Sequence, residues 1–142
     1  MKIIGIDVGK KGAVVVQDLE SKKYTVEDTV SFDNSMKDIY EYFEQLFFDL
    51  KDEKVAVIGE AFGQRVVVKK HSKFYGVIEL VCELTGTELY YISDSKARAS
   101  VLGQGNGRRK DLVHEKYKGE TPDISDAMLF IQFFTDWVYN GE

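Results

Sequence analysis

The chain has one cysteine, Cys82, one proline, Pro122, and two histidines, His71 and His114, in 142 residues. A single thiol excludes an internal disulfide framework, and with two distant imidazoles it offers no zinc-binding spacing. Cys82 is therefore read as a small core residue. With so little proline, no low-complexity tract and no repeat at solenoid spacing, there is no linker at which to divide the chain. No apolar run approaches the roughly 20 residues of a membrane helix, and the first residues lack the apolar core of a secretory signal. At 44% hydrophobic residues there is material for one well-packed domain. The expectation is a single domain over 1–142, cytoplasmic (host cytoplasm if viral), with no membrane partner.

Basic charge is also scarce, with 19 Lys and Arg against 24 Asp and Glu and a net charge of −5. Taken alone, that balance argues against a nucleic-acid partner. Its distribution argues the other way. Residues 61–78 hold Arg65, Lys69, Lys70 and Lys73 without an acid, and residues 95–110 hold Lys96, Arg98, Arg108, Arg109 and Lys110 without one. Such runs are commonly just solvated faces. Two of them in an otherwise acidic chain, with Lys10 and Lys11 in a glycine turn, suit phosphate contacts.

Four acids then stand out by position. Lys2-Ile3-Ile4-Gly5-Ile6-Asp7 reads as a buried strand ending in a carboxylate, followed by a turn through Gly9 and Gly12 and a second apolar run from Ala13. Val55-Ala56-Val57-Ile58-Gly59-Glu60 repeats the pattern. In Thr121-Pro122-Asp123-Ile124-Ser125-Asp126-Ala127, Thr121 suits a helix N-cap and Pro122 the first helical position. Asp123 and Asp126 share a helix face continued by Ala127, Phe130 and Phe134, so both should point toward the body of the protein. Singly, each acid has a plain reading as a turn residue or a complement to the helix dipole. A carboxylate at the end of a buried strand is costly to desolvate unless a cation meets it. Hard oxygen ligands on rigid elements suit Mg²⁺ or Mn²⁺, and two such ions about 4 Å apart can hold both oxygens of an in-line phosphoryl displacement.

Periodicity predicts strands at about 2–7, 13–18 and 23–32, and a helix capped by Asn34 or Ser35 with its stripe at Met36, Ile39, Phe43, Phe47 and Leu50. The strand ending at Glu60 follows, then a helix through Phe74, Ile78 and Val81 that stops near Gly86, and a short strand at 89–92. Residues 95–102 and 108–117 read as helices around a glycine loop at 103–107, and a last helix runs from Pro122 to about Tyr139. The order βββαβαβ followed by helices is that of the ribonuclease H-like fold, a five-stranded mixed sheet flanked by helices.

The segments Ile4-Gly5-Ile6-Asp7-Val8-Gly9, Val57-Ile58-Gly59-Glu60, Arg109-Lys110-Asp111-Leu112-Val113 and Asp123-Ile124-Ser125-Asp126-Ala127 resemble, in order and approximate spacing, the motifs of RuvC-type Holliday-junction resolvases. The resemblance covers nearly the whole chain and is closest to the compact RuvC-like resolvases of phages. It implies that Asp7, Glu60, Asp123 and Asp126 bind two Mg²⁺ ions, with Mn²⁺ able to substitute. It further implies that Lys110 stabilises charge on the scissile phosphate. An aromatic wedge for the junction centre would be Phe62, or else Phe74 or Tyr75. The activity implied is metal-dependent, structure-selective hydrolysis of four-way DNA junctions and other branched DNA, leaving 5′-phosphate and 3′-hydroxyl ends. A homodimer would present one site to each of two opposed strands. Candidate DNA contacts are Lys10, Lys11, Phe62, Arg65, Lys69, Lys70, Lys73, Lys96, Arg98, Arg108 and Arg109. Two alternatives stay open: a YqgF-like RNA-processing nuclease of the same fold, and a non-catalytic junction-binding protein.

Overall fold

Strands β1 (Lys2–Asp7), β2 (Ala13–Asp18), β3 (Tyr24–Glu27), β4 (Lys54–Glu60) and β5 (Glu88–Ser93) form one mixed sheet in the order β3-β2-β1-β4-β5. The first three make an antiparallel meander, whereas β1–β4 and β4–β5 pair in parallel. Among the described residues five helices accompany them: α1 (Met36–Asp49), α2 (Arg65–Thr85), α3 (Asp94–Leu102), α4 (Arg109–Tyr117) and α5 (Pro122–Phe134), the last running into a π-helical turn at Thr135–Tyr139. The structure, a computed structural model, describes residues 1–60, 65–102 and 109–139, and of these the side chains at 65–68, 102, 109–111, 138 and 139 fall outside the description. Among the described residues no helix is long and apolar enough to cross a membrane.

Residues of a strand alternate between the faces of its sheet, and that alternation divides the core in two. Ile4, Ile6, Val14, Val16, Ala56 and Ile58 pack with Ile39, Phe43 and Phe47 of α1 and Phe74, Ile78 and Val81 of α2. Cys82 is buried here, and burial pushes its thiol up to about 12, so it is chemically inert at neutral pH. Ile3, Val15, Val55 and Val57 face the other way, onto Ala97 of α3, Val113 of α4 and Ala127, Phe130, Ile131 and Phe134 of α5.

Helix starts follow the expected chemistry. Ser35, not Asn34, caps α1, its Oγ accepting a hydrogen bond from the Asp38 amide at 3.1 Å. The Asn34 side chain instead accepts from the Ser31 amide at 2.9 Å. The third strand is shorter than the expected 23–32, because the chain leaves β2 after Glu27. The Phe32 amide then donates to the Gly9 carbonyl at 3.1 Å, and the Phe32 ring meets His71 edge-on with 5.2 Å between centroids. Apolar period-two residues beyond Glu27 thus serve the turn and α2 rather than a sheet ladder.

Two glycines set how close α5 comes. A Cβ added to Gly5 would lie 2.6 Å from the Ala127 carbonyl oxygen and 2.8 Å from Ile131 Cγ1, and one added to Gly59 would lie 2.5 Å from the Phe130 ring. Gly76, in the interior of α2, has open space instead. Gly5→Ala should therefore lower stability by about 2 kcal/mol, as overpacking against backbone does. Gly76→Ala should raise it by up to about 1 kcal/mol. Urea unfolding checks both, the midpoints moving in opposite directions at constant slope.

Candidate metal centre

Parallel pairing of β1 with β4, in register from Lys2↔Lys54 to Ile6↔Ile58, brings Asp7 and Glu60 to the same end of neighbouring strands. Helix α5 starts above that end. Thr121 caps it in extended backbone (φ −130°, ψ 161°), its hydroxyl accepting from the Ile124 amide at 3.2 Å, and Pro122 opens the first turn. Asp126 is 2% exposed and Asp123 half-buried, as their shared face with Ala127 and Phe130 requires.

The carboxylates of Asp7, Asp123 and Asp126 converge, each offering an oxygen within 4.8 Å of the others. Three hard, anionic oxygens so close suit a divalent cation of the Mg²⁺ or Mn²⁺ class, and the donor set contains no soft ligand that would favour zinc or copper. Each carboxylate comes from rigid secondary structure. Ser125, fully buried between the two aspartates of α5, has its Oγ 3.1 Å from His114 Nδ1 of α4 and accepts from the Gly119 amide at 2.9 Å. These bonds tie the start of α5 to the segment before it.

Glu60 stands apart from this group of three. Its residue parity in β4 is that of Ala56 and Ile58, which face α1 and α2, whereas Asp7 shares parity with Gly5, which faces α5. Glu60 still borders a cleft of about 270 Å³ together with Asp7, His71, Asp94 and Phe130. It also borders a groove along α2 with Ser72, Tyr75 and Gly76.

Arg98 of α3 reaches this centre from the side, its Nη2 3.1 Å from Asp94 Oδ2 and 3.5 Å from Asp126 Oδ2. The guanidinium expected among the phosphate contacts is thus turned inward. Lys10, Lys11, Lys69 and Lys96 are exposed. Lys70 is exposed too but pairs with Asp33 at 2.6 Å and lies 5.3 Å above the Phe32 ring, and Lys73 donates to the Asn34 carbonyl at 2.8 Å. Phe62 and Arg108 lie outside the described residues. Arg65, Arg109 and Lys110 begin helices α2 and α4, but their side chains also lie outside the description. Of the alternative wedge aromatics, Phe74 is 2% exposed and packs edge-on against Phe43 at 5.6 Å, which removes it from that role. Tyr75 is half-buried and its hydroxyl donates to the Gly59 carbonyl at 2.9 Å.

Two cleft residues escaped the sequence reading. Asp94 follows Tyr90-Tyr91-Ile92-Ser93, so it too is an acid at the end of a strand, the signal that singled out Asp7 and Glu60. His71 is buried at the head of the stripe continued by Phe74, Ile78 and Val81, where helical spacing hides a polar residue among core positions.

No protein-family model matches the chain, and no curated protein matches it by sequence. Solved structures do. T. thermophilus RuvC in complex with a Holliday junction substrate superposes with a TM-score of 0.73 at 14% identity, over 99% of this chain and 96% of that one. Thermus thermophilus RuvC on its own gives 0.65 at 16% identity over 96% of each chain. The fowlpox virus Holliday junction resolvase gives 0.55 at 14% identity, over 97% of this chain and all of that one. The chain therefore has the RuvC-type, ribonuclease H-like fold.

A cation bound only by the folded site raises stability by mass action, about 2.7 kcal/mol at a hundredfold excess over its dissociation constant. Thermal melts in EDTA and in millimolar Mn²⁺ should show a higher midpoint with Mn²⁺ for the unaltered chain. Asp123→Asn should lose most of that increase.

Proposed function

We propose that this chain is a metal-dependent endonuclease for branched DNA, with four-way junctions as its principal substrate, acting as one nuclease domain. The reading is carried by the convergence of Asp7, Asp123 and Asp126 at the end of β1 within a RuvC-type fold. The likeness to a RuvC solved on a Holliday junction supports the choice of substrate.

Asp7, Asp123 and Asp126 would hold one divalent cation, and Glu60 would contribute with Asp7 to a second. Mg²⁺ is the expected ion and Mn²⁺ its substitute. When bound, the cations supply Lewis acidity for attack on phosphorus and positive charge for the departing oxygen. The reaction is hydrolysis. A water oxygen bonds to phosphorus as the bond to the 3′ oxygen breaks, leaving a 5′-phosphate and a 3′-hydroxyl.

The chain's own basic residues orient the backbone. Lys10 and Lys11 project from the β1–β2 turn, next to the strand end that carries Asp7, and Lys69, Lys70 and Lys73 line the start of α2. Lys96 lies on α3, and by sequence Arg65, Arg108, Arg109 and Lys110 are further candidates for phosphate contact, with Lys110 assigned to the scissile phosphate by its place in the motif. Recognition through phosphates selects backbone geometry over base sequence. A homodimer would set one such site against each of two opposed strands.

The decisive experiment offers a labelled four-way DNA junction, a linear duplex and an RNA duplex to the protein with Mg²⁺, Mn²⁺ or EDTA. Metal-dependent paired nicks confined to the junction are expected. Asp7→Asn should slow them by at least about a hundredfold, because it removes a direct ligand where even indirect ones cost 10- to 100-fold. Junction binding should be kept or tightened, since a negative charge near phosphate is lost. Tight junction binding without cleavage in the unaltered protein would make it a non-catalytic binder, and preferential RNA cutting would make it YqgF-like.

A further inference from the structure

Arg98 is shared unequally by two carboxylates. Its Nη2 lies 3.1 Å from Asp94 Oδ2, one helical turn back on α3, and 3.5 Å from Asp126 Oδ2 on α5, with only 17% of the side chain exposed. Charge-assisted hydrogen bonds normally measure about 2.7–2.9 Å, so the contact with Asp126 is stretched, although its carboxylate is 3% exposed against 39% for Asp94. A single nitrogen serves both acids, and among the described residues the buried Nε has no hydrogen-bond partner. This is a guanidinium in contact with two anions and locked in a bidentate fork by neither.

Three carboxylates with oxygens within 4.8 Å repel one another strongly when no cation lies between them. Asp126, the most buried of the three, has the least solvent to screen it. A guanidinium against Asp126 answers that repulsion. It also obstructs a divalent ion, because two cations a few ångströms apart repel as strongly as the anions they relieve.

We infer that Arg98 is a positioning residue that holds Asp126 in place in the absence of a divalent cation and withdraws onto Asp94 when one occupies the cluster. Asp94 is the retained partner in both states. The inference rests on the metal-site reading above and deepens it. Metal affinity is set by a competition inside the protein as well as by the ligands themselves.

The test is Mn²⁺ titration of the full chain without DNA, followed calorimetrically, with thermal melts in EDTA. Arg98→Met should bind Mn²⁺ about tenfold more tightly and melt at a lower temperature in EDTA, the loss of one partner from a buried ion pair being the cause of both. Arg98→Lys keeps the charge and should stay near the unaltered protein. Asp94→Asn should weaken Mn²⁺ binding by leaving Arg98 to Asp126 alone, and should have no effect when added to Arg98→Met, as a double-mutant cycle requires of a residue acting only through another. Should Arg98→Met fail to fold, Arg98→Gln takes its place with the same expectations. Mn²⁺ binding left unchanged or weakened by loss of the charge would overturn the inference while the metal site stands. An Asp94→Asn effect that persists beside Arg98→Met would make Asp94 a ligand and overturn it as well. Unaltered protein that binds no Mn²⁺ would overturn both readings.

Discussion

Helix α5 reaches the sheet only because two positions beneath it carry no Cβ. At Gly5 the obstacle to a side chain is the Ala127 carbonyl, and at Gly59 it is the ring of Phe130, so backbone and buried aromatic together occupy the space a side chain would take. The convergence of Asp7, Asp123 and Asp126 inherits that contact. Asp7 follows Gly5 by two residues on the same face of β1, and Asp126 precedes Ala127 by one on α5. A helix held one side chain farther from the strand would carry Asp123 and Asp126 away from Asp7. The packing of Val57, Leu129, Phe130, Ile131 and Phe134 around the contact makes the separation a property of the core.

Close packing of that kind creates an electrostatic difficulty. Three acids are driven together by apolar forces that are indifferent to their mutual repulsion, in a chain whose net charge is already −5. Ser125 ties the helix start to His114 and to the Gly119 amide through its hydroxyl, and Arg98 supplies a neighbouring positive charge. The inward Arg98 against the carboxylates contrasts with Lys10, Lys11, Lys69 and Lys96, which are exposed.

How much of this is legible in sequence follows from which forces are local. A strand end, a glycine turn and a Thr-Pro helix start are decided by neighbouring residues, so β1, β2, β4 and the start of α5 fall where the pattern places them. The convergence of Asp7 with Asp123 and Asp126 is legible because each acid lies at the boundary of a strongly patterned element. Partnerships across the fold leave no such trace. Nothing in Lys96-Ala97-Arg98 tells an arginine aimed at Asp126 from one aimed at solvent, and Val30 and Phe32 keep strand periodicity after the chain has left the sheet for α2. The face toward which Glu60 projects is set by counting parity along β4, a constraint that a list of acids at strand ends does not contain.

That parity also explains why the cleft lies at the strand ends and not on either face. Strand β1 is where the sheet changes sense, antiparallel to β2 on one side and parallel to β4 on the other. Beyond its carboxyl end the chain turns back at once through Gly9 and Gly12, whereas β4 leads on toward α2, and the connections part. In open α/β sheets ligands favour the crevice at such a point. Here the crevice receives Asp7 from the α5 side and Glu60 from the α2 side, with His71 and Asp94 on its walls. The crevice is thus lined by acids from both faces of the sheet, an arrangement that a single helix or strand face cannot build. The odd spacing of one residue between Gly59 and Glu60, against two between Gly5 and Asp7, is what divides the acids between the two sides.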